Sequence, residues 1–286
     1  MTANWTIKEL VLWTTAYFSE KGIKQPRLEA EVLLAHVLGR DRVYIYANYD
    51  APTRQNERDV FRHYIKRRVN GEPLAYITGH REFMSLDFTV NPAVLIPRPD
   101  TEILVESVIN TARSQDGIRI IDVGTGSGAI AVSLAYYLPR AEILATDISK
   151  DALEIAEFNA KKHGVTVNFH QGDLLEPFNH DESFEPFDYI VANLPYITQS
   201  EFTQLDKEVR DFEPGQALLA PGDGLDIYRR LLQQAPEYLK PQGCLVFEIG
   251  AGQGDAARKM FADIYQLELV PDLAGRDRVI IARKKV

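Results

Sequence analysis

"IRIIDVGTGSGAIAVSLAYYL", residues 118–138, passes from an apolar run through a glycine-rich turn into a helical pattern. Its first six residues form a nearly continuous apolar, β-branched run, as a strand covered on both faces requires. Gly124, Gly126 and Gly128 then punctuate a tight turn, and "AIAVSLAYYL" follows with the composition and length of a helix. The alternation continues with strand "AEILATDI", helix "KDALEIAEFNAKKHG", strand "TVNFHQGD" and strand "FDYIVANL". After a longer insertion (197–224) come helix "LDIYRRLLQQAPEYL", strand "CLVFEIG" and helix "DAARKMFADI". Strands separated by helices of this length imply βαβ units and a parallel sheet. The last two runs, "YQLELVPD" and "RDRVIIARK", are separated by "LAG" and read as an antiparallel hairpin. The expectation is an α/β, Rossmann-like sheet of parallel strands ending in an antiparallel hairpin.

Working toward the amino terminus, "GEPLAYITGHREFMSLDFTVNPAVLIPRPDTE" (71–102) alternates apolar and polar residues and carries four prolines. It predicts a hairpin-like connector leading into a helix capped near Asp100 or Thr101. Before it, Trp5, Leu10, Trp13 and Tyr17 recur at helical spacing, as do Leu28, Val32, Leu33 and Val37 after Pro26. A third helix, "DVFRHYIKRRV", carries Arg62, Lys66, Arg67 and Arg68, read as a solvated face or a surface for an acidic partner or RNA. The division expected is a helical domain over 1–75, a connector over 76–100 and the α/β domain over 101–286.

The composition narrows the chemistry. The formal charge of −9 is unevenly spread: residues 1–90 hold 13 Lys and Arg against 11 Asp and Glu, and residues 91–286 hold 19 against 30. An acidic α/β part is poorly suited to gripping a phosphate backbone, which favours a protein or small-molecule substrate over nucleic acid. One cysteine, Cys244, excludes a disulfide within the chain and reads as a buried thiol. The six histidines form no HxH or HxxxH pair, so no metal site is expected. With no basic leader before an apolar core and no long apolar run, the expectation is a soluble cytoplasmic protein away from membranes.

The glycine turn offers bare backbone and a helix amino terminus to a ligand, and Gly124, Gly126 and Ala129 satisfy the dinucleotide pattern G-x-G-x-x-G/A. A dehydrogenase therefore stays open at this point. Asp147, closing the second strand, suits both hydroxyls of a ribose, or else a helix cap in "TDISKDAL". Asp173 falls near an adenine amino group if the third strand lies alongside, or is a solvated turn residue. Asp122, two residues before the first glycine, is expected beside the ligand's most polar end. A carboxylate there favours a cationic sulfonium and ammonium over a pyrophosphate, which tilts the reading to S-adenosylmethionine.

The strand "FDYIVA" runs into Asn193-Leu194-Pro195-Tyr196. Asn and Pro end strands for ordinary reasons. The combination also fits methyl transfer to a planar nitrogen, whose lone pair is delocalised and whose N–H bonds need acceptors. Asn193 offers a side-chain oxygen, Leu194 its backbone carbonyl, and Tyr196 a flat face.

"NLPY" resembles the Asn-Pro-Pro-Tyr motif of amino-group methyltransferases, and nearly the whole chain is similar to the release factor glutamine methyltransferase (HemK/PrmC) family. The similarity runs through "PLAYITGHREF", "VLIPRPDTEILVE", "DVGTGSGAIA", "EVRDFEPGQALLAPGDGLDIYRRL", "EIGAGQG" and "DLAGRDRVI". The resemblance implies a class I methyltransferase fold and S-adenosylmethionine as donor. It implies as reaction the N5-methylation of the glutamine in the Gly-Gly-Gln loop of peptide-chain release factors. It assigns Gly124, Thr125, Gly126, Ser127 and Gly128 to the donor's loop and Asp147 to its ribose, with Asp173 and Leu174 at the adenine end and Asn193 beside the donor. Asn193, Leu194, Pro195 and Tyr196 would hold the substrate glutamine. Two departures stand out: Leu194 replaces a proline, removing a restraint on Asn193, and Leu174 stands where some relatives carry Trp. The rival is an N6-adenine nucleic-acid methyltransferase, which faces the same nitrogen chemistry but needs a basic channel.

Overall fold

Helical periodicity in the first seventy residues is realised by α1 (Ile7–Glu20), α2 (Pro26–Leu38), α3 (Arg42–Ala47) and α4 (Gln55–Val69), with the one-turn α5 (Leu74–Thr78) behind them. The structure, a computed structural model, describes residues 5–179, 184–261 and 265–285. Helix α1 starts at a reciprocal cap: the Thr6 hydroxyl accepts from the Glu9 N–H, and the Glu9 carboxylate accepts from the Thr6 N–H at 2.8 Å. Its inward face is Ile7, Leu10, Val11 and Phe18, joined in one core by Leu33, Leu34, Ile45, Phe61 and Ile65. The helix expected from the spacing of Leu10, Trp13 and Tyr17 is present, with Leu10 in the core. Trp13 is half exposed and stacks on Tyr17 with 5.3 Å between ring centres.

The arginines of α4 are used inside this unit. Arg62 pairs with Asp59, Arg67 with Glu72, and the nearly buried Arg68 with Glu29 and Glu208. Glu208 belongs to α10 (Lys207–Phe212), a segment that groups with the residues up to Gly79.

The second unit contains His80–Asp206 and the chain from Glu213 onward. It opens with the hairpin β1 (His80–Phe83) and β2 (Leu86–Thr89), which turns through Met84 and Ser85 at φ of 50° and 58°. Two non-glycine residues in the left-handed region are unusual in a hairpin turn. The Met84 N–H donates to Glu102 and its carbonyl accepts from the Tyr137 hydroxyl, each at 2.7 Å, which fixes the turn. Helix α6 (Pro99–Ala112) begins with proline in its first turn, ahead of both caps expected at Asp100 or Thr101.

The sheet follows the expected alternation: β3 (Arg119–Val123), α7 (Ala129–Tyr137), β4 (Glu142–Asp147), α8 (Lys150–His163), β5 (Asn168–Gln171) and β6 (Phe187–Ala192). The insertion carries α9 (Gln199–Phe202) as well as α10, and α11 (Asp226–Tyr238), β7 (Leu239–Glu248), α12 (Gly254–Phe261), β8 (Tyr265–Pro271) and β9 (Asp277–Lys284) complete the unit. Residues 262–264, where the last helix was expected to end, lie outside the described residues. Strand order is β5-β4-β3-β6-β7-β9-β8, parallel from β5 to β7, with β9 antiparallel to both its neighbours. Alternation along the strands sorts the core. Ile120, Ile143, Val191 and Val246 face α6 and α7, whereas Ile121, Leu144, Ile190 and Phe247 face α11 and α12. The chain leaves β3 for β4 on one side and takes β6 on the other, which opens a crevice beyond the strands' carboxyl ends.

Candidate active site

Register places the end of β3 (Val123) opposite Thr146 and Ala192, and Ala192 opposite Phe247. The residues following these strands therefore meet at one rim, around a cavity of about 440 Å³. Gly124, Thr125, Gly126, Ser127, Asp147, Asp173, Leu174, Asn193, Leu194 and Pro195 all line it. Gly128 and Tyr196, also expected at the site, do not.

The turn after β3 is built from backbone. The Gly124 and Thr125 N–H groups both donate to the Thr146 carbonyl at 2.9 Å. Gly126 sits at φ 55°, and no atom stands within 4 Å of where its side chain would project, so bare main chain faces the cavity. Gly128 serves packing: at φ 79° it caps α7, and a Cβ there would meet Ala156 of α8 at 3.1 Å.

Asp147 is doubly engaged. Its Oδ2 accepts from the Gly126 N–H at 2.8 Å and its Oδ1 from the Ser149 N–H at 2.9 Å, while α8 takes its cap from Ser149. Each oxygen keeps a further acceptor position for a ligand hydroxyl. Burial raises its pKa, and the amides of Ser149, Gly126 and Ile148 oppose that. Strand β5 does lie beside β4, and Asp173 is an ion-pair partner of Arg230 on α11 at 2.5 Å, so it is no freely solvated turn residue. Leu174 adopts φ 53°, a rare conformation for leucine, and is buried against the cavity wall.

Asp122 departs from expectation. It is fully buried and does not line the cavity; its Oδ2 accepts from the Thr125 hydroxyl at 2.6 Å and from the Ala131 N–H at 3.2 Å. A residue on β3 facing α7 points beneath the turn, so Asp122 organises the loop from below. Burial pushes its pKa up to about 7 against the pull of those two donors, and Asp147 adds to the rise.

The turn after β6 is held by side chains that sequence reasoning missed. The Asn193 Nδ2 donates to Thr101 Oγ1 at 3.1 Å, and Oδ1 takes no hydrogen bond from a described residue. The Leu194 N–H, which a proline would lack, donates to the buried Tyr228 hydroxyl at 3.0 Å. Tyr228 in turn donates to the Glu248 carbonyl at 2.5 Å, much closer than the Leu194 carbonyl at 3.4 Å, which leaves the latter available. The leucine at this position thus gains a tether in place of a ring. Tyr196 turns its hydroxyl inward to Glu248 at 3.2 Å, and burial together with that carboxylate raises its pKa, so it stays a neutral donor. Gln253 accepts from Gly250 and donates to the Tyr196 carbonyl at 3.1 Å, which gives "EIGAGQG" a structural role. The one available signal for Glu248 was a carboxylate closing the otherwise apolar strand "CLVFEI".

A strand order with one antiparallel edge pair, a glycine turn backed by an acid on the next strand, and an Asn-Leu-Pro-Tyr rim define a Rossmann-like methyltransferase. A solved methyltransferase from Pyrococcus furiosus shares this fold with a TM-score of 0.53, over 77% of this chain and 98% of that one at 16% identity. Residues 9–79 match the family model of the PrmC N-terminal domain, and residues 114–267 match that of a methyltransferase domain. The chain is 42% identical over 284 residues to the release factor glutamine methyltransferase of Geobacter sulfurreducens, covering 98% of this chain and 97% of the relative. Against the release factor glutamine methyltransferase of Moorella thermoacetica it is 46% identical over 269 residues, covering 92% and 93%. The chain belongs to the release factor glutamine methyltransferase family.

Proposed function

We propose that this enzyme transfers a methyl group from S-adenosylmethionine to the side-chain nitrogen of the glutamine in the Gly-Gly-Gln loop of peptide-chain release factors. The observation that carries the reading is the meeting of Asn193 and Leu194 with the glycine turn around one cavity. S-adenosylmethionine supplies, when bound, an electrophilic methyl group on sulfur. The bare backbone at Gly124–Ser127, Asp147 for the ribose hydroxyls, and Asp173 and Leu174 for the adenine end are the groups that fit it.

The chain's own task is to hold a poor nucleophile in line. Asn193 Oδ1 and the Leu194 carbonyl accept the two N–H bonds of the substrate amide. That fixes the nitrogen's orientation and stabilises positive charge developing on it. Pro195 holds the Leu194 backbone extended. Tyr196 holds the turn through Glu248, and its flat face is the surface on which the substrate's planar group stacks. The helical unit docks the factor away from its reactive loop, and reaction takes place in the cytoplasm without direct contact to nucleic acid or membrane. Among the described residues no helix is long and apolar enough to cross a membrane.

Incubation with labelled S-adenosylmethionine, a release factor and, separately, DNA tests this. Label is expected on the factor's glutamine, located by mass analysis of the loop peptide; label on DNA and none on the factor would reject the proposal. Asn193→Ala is expected to lower kcat by about 10²–10³ with donor affinity nearly unchanged.

A further inference from the structure

The carboxamide of Asn193 is useful only one way round: turned over, it would present an NH2 group to a substrate NH2 group. Cavity shape does not decide this, because oxygen and nitrogen of a carboxamide are nearly the same size. A chain of hydrogen bonds behind it does. Asn193 Nδ2 lies 3.1 Å from Thr101 Oγ1, and Thr101 Oγ1 lies 2.6 Å from Glu248 Oε2. Thr101 and Glu248 are both buried, and Glu248 also receives the Tyr196 hydroxyl on Oε1 at 3.2 Å. A hydroxyl has one hydrogen. Facing a carboxylate, Thr101 must donate to it, and its lone pairs are then turned to Asn193, which can answer only with N–H.

We propose that Glu248 is a positioning residue for the methyl transfer, setting through Thr101 the direction in which Asn193 presents its oxygen. The inference rests on the reading of Asn193 given above and deepens it. Burial, with a smaller push from Asp100, raises the Glu248 pKa above the usual carboxylate range, against the pull of the Thr101 hydroxyl, the Arg278 charge and the Tyr196 hydroxyl.

Two variants break the chain at different links without changing shape. Glu248→Gln brings an NH2 group that can donate to Thr101, so that Thr101 donates to Asn193 and the carboxamide reverses. Thr101→Val deletes the relay, and Thr101→Ser keeps it. For Glu248→Gln and Thr101→Val, kcat on the intact factor is expected to fall by about 10–100-fold. S-adenosylhomocysteine affinity, measured by calorimetry, and KM for the factor are expected to stay within about threefold. Thr101→Ser is expected to recover most of the rate, and the double variant to be no slower than the slower single one, since both cut the same chain. If Thr101→Val turns over as the parent does, or if Thr101→Ser is as slow as Thr101→Val, the relay is overturned. If the parent enzyme itself leaves the factor's glutamine unlabelled, it is the proposed reaction that fails.

Discussion

Asp122 is a carboxylate with no exposed surface, two donors on one oxygen and, on the other, no hydrogen-bond partner among the described residues. Its pKa of about 7 lies far above the value near 4 of an unfolded chain. From about pH 4 to pH 7 the folded state holds a proton that the unfolded state has released, so this group's contribution to stability is full at low pH and lost as pH rises through 7. Asp122→Asn cannot ionise and should abolish that slope. Thermal unfolding of the donor-free protein at pH 6 and pH 8.5 is expected to show a smaller loss of Tm with rising pH in the variant than in the parent. Parallel curves would mean that Asp122 is not the titrating group. The residue scale is also where sequence reading was least complete. Asp147, Asn193 and Leu194 were found because strand-to-turn grammar puts them at the rim. The inward rotation of Asp122 depends on which face of β3 meets α7, and the Thr101–Glu248 relay joins residues 147 positions apart, which no local pattern records.

A buried polar side chain on α8, Asn159, joins the hairpin strand β2 to the glycine turn. Asn159 Oδ1 accepts from the Thr89 N–H at 2.8 Å, and its Nδ2 donates to the carbonyls of Thr89 at 3.0 Å and Ser127 at 2.9 Å. One carboxamide therefore bolts β2, α8 and the cavity turn together. Asn159→Ala would leave these main-chain groups without partners, at a cost of about 2–3 kcal/mol. A fall in Tm of about 5–10 °C is the expected result, with faster amide exchange at residues 80–90 and weaker S-adenosylhomocysteine binding. An unchanged exchange pattern in the hairpin would show that the bolt carries no tension. The elements themselves were readable because βαβ periodicity is local and each strand is short, apolar and bounded by turn residues. The spacing of Leu10, Trp13 and Tyr17 marked α1 as a helix but not which face is buried: Trp13 and Tyr17 stack on each other while Leu10 enters the core.

At the scale of the whole molecule, the chain passes from the α/β unit into the helical one for Lys207–Phe212 and back again at Glu213. Glu208 pairs there with Arg68; Glu213 accepts from the Ile96 N–H at 3.2 Å and pairs with Arg98, which lines the glycine turn's cavity. Removing residues 1–79 would strip Lys207–Phe212 of the residues it groups with, so a truncation would change more than docking. Varying the substrate avoids that. If the helical unit binds the factor at a distance from the glutamine, a short Gly-Gly-Gln peptide forfeits that binding and presents only the reacting loop. Binding energy from remote contacts concentrates the loop at the site and helps to orient it. The expected outcome is a kcat/KM for the peptide lower by about 10² or more than for the intact factor, with the product again methylated on the glutamine nitrogen. The KM of the intact factor should rise when surface side chains of α1 are replaced, and that of the peptide should not. A peptide methylated as efficiently as the factor would assign all recognition to the cavity and leave the helical unit without a part in substrate choice.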